Sequence, residues 1–221
     1  MTSMNTLNCK ALTGLVVIFL FLNGNVGAST IEITVIDKKG NPLESAVATL
    51  TSPDAISNQQ STSNATINQV NKEFVPEVSV VQAGTAITFP NNDRVRHHVY
   101  SFSDAKSFDL PLYRETSPDP VIFDKPGLVT LGCNIHDWMR AYVVVVETPF
   151  YQMSGANGKI LIDNIPAGKY ELELWHPRQR KTFMQEVEVN GDDIALELVI
   201  PTKPKFRAKR RNSGDSGQYQ N

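Results

Sequence analysis

The sequence predicts an all-β protein built as two β-sandwiches. Three observations lead there. Apolar and polar residues alternate in run after run, turns rich in Gly, Pro and Asn part the runs, and no segment carries the apolar stripe of a helix. Ile31–Ile36 alternates, and Asp37–Gly40 makes a turn. Pro42 and Leu43 lead into a second strand at Ala46–Leu50. Residues 51–66 are crowded with Ser, Thr, Asn and Gln and read as a loop. Strands resume near Ile67 and Phe74, then at Ile87–Phe89 and His98–Phe102. Residues 103–120 have little periodicity and read as a long loop with room for a short helix. Gly127–Leu131 and Ala141–Val146 are the next strands. Past residue 150, a turn at Gly155–Gly158 precedes Lys159–Ile162. Ile165–Tyr170 then turns into Glu171–Trp175, and Phe183–Val189 and Ile194–Ile200 alternate again.

The chain has 221 residues, a net charge of −2 and 41% hydrophobic residues. That is enough apolar material for one or two cores, and the charge suggests no nucleic-acid partner. Residues 1–28 read as a secretory signal: Lys10 is their only charge, Leu12–Leu22 is an apolar run, and Val26-Gly27-Ala28 supplies small residues for cleavage. The run is short for a membrane span, so no stable membrane insertion is expected. Cleavage would move the net charge to −3 by removing Lys10, and would remove Cys9, leaving Cys133 alone. A lone cysteine in an oxidising compartment has no internal disulfide partner, so metal ligation is the economical use for it. Residues 201–221 hold six Lys and Arg, Lys203 to Arg211, in a polar stretch and read as a disordered tail.

The segment Cys133-Asn-Ile-His136-Asp-Trp-Met139 packs a thiol, an imidazole and a thioether into seven residues. Soft sulfur beside imidazole selects copper or zinc, and two His with a Cys and a weak axial Met suit a copper electron-transfer site. That set needs a second His, and His97-His98 lies upstream on a predicted strand. Neighbours on a strand face opposite ways, so only one of the two can point at Cys133. His176, in Trp175-His176-Pro177, is far from this cluster in sequence and reads as structural.

Phe89-Pro-Asn-Asn-Asp93, the His-x-Val of His97-His98-Val99, Pro126-Gly127 ahead of Cys133, and Cys-x-x-His-x-x-Met at 133–139 resemble, together, the cupredoxins of the amicyanin and plastocyanin-like type. The resemblance covers roughly residues 75–147, and proteins of this look often carry a methylamine-utilisation label. It implies a Greek-key sandwich at 67–147 holding one type 1 (blue) copper through His97, Cys133, His136 and Met139, with His98 the alternative to His97. The His-x-Val register favours His97. It further implies a periplasmic single-electron carrier rather than an enzyme, with a cytochrome or periplasmic oxidoreductase as redox partner. A copper carrier or storage protein, or a non-redox envelope interaction module, are the rival readings. Residues 35–47 and Asn157-Gly158-Lys159-Ile160 with Asn164-Ile-Pro-Ala-Gly-Lys-Tyr-Glu-Leu172 resemble the two halves of a carboxypeptidase-regulatory or transthyretin-like sandwich. That resemblance implies a discontinuous domain, 30–52 plus 148–200, with the cupredoxin-like part inserted in it.

Overall fold

Period-two alternation produces strands throughout, and the described residues contain no helix. The structure is a computed structural model that describes residues 28–53, 63–115 and 117–204. Of the segment read as a signal only residue 28 is described, and of the tail only 201–204. Among the described residues no helix is long and apolar enough to cross a membrane.

One pair of sheets draws on both ends of the chain. β1 (Ser29–Asp37) lies between β14 (Lys159–Ile165), antiparallel to it, and β17 (Ile194–Ile200), parallel to it. The facing sheet runs β13 (Tyr151–Met153), β2 (Val47–Thr51), β15 (Gly168–Trp175), β16 (Phe183–Val189). Ile31, Ile33 and Val35 alternate inward from β1 and meet Leu50, Leu172 and Leu174 in one core. Residues before 52 and after 148 therefore bury each other. Gly158 is required by close approach: at φ +73° it sits where a Cβ would fall 2.5 Å from the Val35 carbonyl oxygen.

The second pair of sheets uses the chain between. Its larger sheet runs β6 (Val78–Gln82), β12 (Arg140–Val146), β11 (Gly127–Gly132), β8 (His97–Ser103), β9 (Lys106–Tyr113). The smaller runs β10 (Val121–Phe123), β7 (Thr85–Thr88), β3 (Asn64–Thr66). A hairpin, β4 (Asn68–Val70) and β5 (Glu73–Val75), forms a separate two-stranded sheet whose Phe74 is buried in the core of this second pair. Ile67, Ile87, Phe89, Phe123, Leu131 and Val143 are fully or almost fully buried in a second core that shares no residue with the first.

Two readings need correction. Residues 103–120 are not one long loop: Lys106–Tyr113 is a strand, at the edge of the five-stranded sheet. Pro111 is tolerated there because an edge strand leaves one row of backbone groups unpaired. The loop assigned to 51–66 is shorter, since β2 extends to Thr51 and Asn64–Thr66 pairs in parallel with β7.

The passage between the two pairs is narrow. Leu50 donates its N–H to the Phe150 carbonyl (2.9 Å), and the Thr148 hydroxyl donates to the Leu50 carbonyl (2.6 Å). The two connecting segments thus run side by side. Tyr142 and Trp175 meet across the seam with ring centroids 5.3 Å apart.

Candidate metal centre

Three elements deliver side chains to one end of the second core. β8 opens with His97, whose side chain is wholly buried, and alternation turns His98 to the opposite face. β11 ends at Gly132, and Cys133 follows it at 4% exposure. Gly132 is a close-approach glycine: an added Cβ would lie 2.8 Å from the Tyr100 ring. The loop 133–139 then turns over the end of the sheet and enters β12. A hydrogen bond from the Met139 N–H to the His136 carbonyl (2.9 Å) closes that turn.

His97, Cys133 and His136 offer ligand atoms that all lie within 4.8 Å of one another, the only such His/Cys/acid group found among the described residues. Cys133 Sγ is 3.9 Å from His136 Nδ1. The rings of His97 and His136 meet edge-on at 4.9 Å. His97 Nδ1 is buried and has no hydrogen-bond partner, whereas its Nε2 lies 2.7 Å from the Asp93 carboxylate. A bare buried imidazole nitrogen beside a buried thiol is a donor set in want of a Lewis acid, so these residues fit a soft, sulfur-and-nitrogen-seeking metal ion. Partial burial lowers the His136 pKa, with the nearby His97 and Lys72 acting in the same direction and Asp93 against them, which favours the neutral, metal-ligating form of the ring.

Of the other predicted residues, Met139 is 2% exposed and packs in the same buried cluster as Cys133. His98 stands outside the group, 2.7 Å from Asp109 through Nε2 and 5.5 Å from the Tyr100 ring. His176 is buried in the first core's territory, where its Nδ1 accepts the Arg178 N–H at 3.2 Å. Tyr113 is the register partner of His97 across β8 and β9 and is buried in the same core as Cys133. Burial pushes its pKa up to about 12, so it stays a neutral phenol, donating to the Phe89 carbonyl and accepting from Gln69 at 2.5 Å.

Two residues that lie within the sequence motifs take on roles the sequence did not assign them. Asp93 accepts from the backbone N–H groups of Asn71 (2.6 Å) and Lys72 (2.8 Å) while it holds His97. Burial works to raise its pKa, but the bonds from His97, Lys72 and Asn71 outweigh that and hold the carboxyl below its usual range. Trp138 donates its indole N–H to the Lys72 carbonyl (3.0 Å) and lies 5.3 Å from the His136 ring. The signals for Asp93 were its place in the Phe89–Asp93 motif and four residues before His97, neither of which names the hairpin tip it holds.

No protein-family model matches the chain, and no curated protein matches it. Solved structures do. A reduced Cu(I) form of an amicyanin mutant is 20% identical, with 45% of this chain and 98% of that one covered at a TM-score of 0.35. A purple cupredoxin from Nitrosopumilus maritimus is 22% identical, covering 37% and 99% at 0.33. A copper-containing nitrite reductase from Thermus scotoductus is 20% identical, covering 52% and 28% at 0.36. At TM-scores this low the likeness carries nothing for function, and the metal centre stands on its own geometry.

Proposed function

We propose that the chain is a single-electron carrier built on one type 1 copper. The observation that supports it best is the convergence of two imidazoles and a thiol within 4.8 Å, with His97 Nδ1 buried and bare. His97, Cys133 and His136 would hold the metal, and Met139, in the loop with two of them, would offer a weaker thioether donor. Bound copper would supply a one-electron Cu(II)/Cu(I) couple, with the thiolate as its charge-transfer donor. The protein's part is rigidity. Cys133 and Met139 are buried, and their loop is pinned between β11 and β12, so the ligand positions change little between oxidation states.

His136 would be the exit for the electron: it is half-buried and flanked by Ile135 at 50% exposure and Trp138 at 36%. Two exposed apolar side chains beside a ligand imidazole suit brief docking of a redox protein, such as a cytochrome or a periplasmic oxidoreductase. The segment 1–28 supports a periplasmic location. The first pair of sheets is assigned as a carboxypeptidase-regulatory-like sandwich, 30–52 plus 148–200, carrying the copper part at 67–147.

Titration of the metal-free protein with Cu(II) tests the reading. We expect one equivalent bound, an intense visible band, and loss of that band in Cys133→Ser, because a hydroxyl cannot replace the thiolate donor. A colourless complex, or colour retained in the variant, rejects it. Tight copper binding without a reversible potential in voltammetry would favour the copper-carrier reading instead.

A further inference from the structure

Asn71 and Lys72 form the two-residue tip of the β4–β5 hairpin, both in the left-handed region, at φ 55° and 60°. Neither is glycine, and consecutive left-handed residues are costly unless the surroundings hold them. The holding group is Asp93. One carboxylate oxygen accepts from the Asn71 N–H, and the other accepts from the Lys72 N–H and faces His97 Nε2. Trp138 ties the same tip to the ligand loop through the Lys72 carbonyl.

That arrangement decides where the proton of His97 sits. A carboxylate oxygen at 2.7 Å accepts a proton and offers none, so a bare Nε2 would set lone pair against lone pair. A proton on Nδ1 would be a buried donor without a partner, since that atom has none. Both considerations put the hydrogen on Nε2.

We propose that Asp93 is the positioning residue of the centre. Its carboxylate fixes His97 in the tautomer that leaves Nδ1 bare toward Cys133 and His136, and it ties the hairpin tip to that ligand before any metal arrives. A carboxylate on the outer nitrogen of a metal-binding imidazole also raises the basicity of the inner one, and loss of such a partner weakens metal binding about 10–100-fold. The tautomer stands without the copper reading, and the binding readout rests on it.

The experiment uses the full-length mature protein, ¹⁵N-labelled and metal-free, with histidine ring nitrogens read by long-range NMR correlation, followed by Cu(II) titration. Wild type should show His97 protonated at Nε2 only. Asp93→Ala should give a mixture of tautomers at His97 and bind Cu(II) about 10–100-fold more weakly. Asp93→Asn can keep an acceptor oxygen toward Nε2 but not the charge, so it should keep the tautomer and fall between the two in affinity. Should Asp93→Ala fail to fold, wild type and Asp93→Asn still decide. A wild-type His97 protonated at Nδ1, or an Asp93→Asn affinity equal to wild type, overturns the proposal. A wild type that shows the expected tautomer yet binds no copper overturns the copper reading and leaves the positioning role standing.

Discussion

Acid should destabilise the first core through one residue, His176. The side chain is 3% exposed, and burial, helped by Arg178, pushes its pKa down to about 4. The unfolded chain protonates near the ordinary value of about 6.5. A base whose folded pKa is depressed supplies full stability above the unfolded value and loses it as pH falls toward the folded one. The window therefore runs from about pH 6.5 down to about pH 4. At about 1.4 kcal/mol for each unit of pH across it, the loss at pH 4.5 comes to about 2.5 kcal/mol. For a unit of this size that is about 10–20 °C of melting temperature. The control is His176→Asn, whose side-chain oxygen can still accept the Arg178 N–H, as His176 Nδ1 does at 3.2 Å, but which does not titrate. Thermal melts at pH 7 and 4.5 give the result directly. Wild type should lose markedly more than the variant over that interval. Equal losses in the two proteins would refute the reasoning, because carboxylates common to both would then account for the whole acid response.

Leu172→Ala and Phe123→Ala each remove a fully buried side chain at a cost of about 2–5 kcal/mol; Leu172→Ala should lower the first core's calorimetric transition alone, whereas Phe123→Ala, which loosens the insert that holds the outer ends together, should lower both. A lowered insert transition in Leu172→Ala would contradict this. Met139→Leu, nearly volume-conserving, should cost less than about 1.5 kcal/mol and leave copper bound. Its potential should rise, because a lost thioether donor leaves copper(II) less stabilised; an unchanged voltammogram would make Met139 a packing residue only. His97→Ala should abolish the copper electron paramagnetic resonance signal that His98→Ala preserves, and the opposite pattern would move the ligand to His98.

The parts of the molecule visible in the sequence are those that repeat or crowd. Ile31, Ile33 and Val35 alternate and are buried in alternation. Cys133 and His136, three residues apart, meet in space, and strand alternation separates His97 from His98 as neighbours must be separated. Lys106–Tyr113 was hidden because an edge strand need not alternate strictly and can hold Pro111. Asn64–Thr66 was hidden because a three-residue strand in a polar run has no period to read. Asp93 and Trp138 stood in the motifs, but their roles were illegible for another reason. Their importance lies in bonds to Asn71 and Lys72, more than twenty residues away, and no local pattern encodes which turn a carboxylate will meet.

The side-by-side junction at Leu50, Thr148 and Phe150 has a kinetic and thermodynamic consequence. Were the hundred or so intervening residues a loose loop, bringing their ends together would oppose closure of the β2–β13 pairing by about 4 kcal/mol of chain entropy. A folded insert removes most of that penalty, since its own packing already holds the ends together. The outer sheets should then close late, after the insert has collapsed, and should open early when it melts. An ion held by His97, Cys133 and His136 at one hundred times its dissociation constant would add about 2.7 kcal/mol to the insert. Through two strands of chain at a narrow neck, that ion would lend stability to a core it never touches.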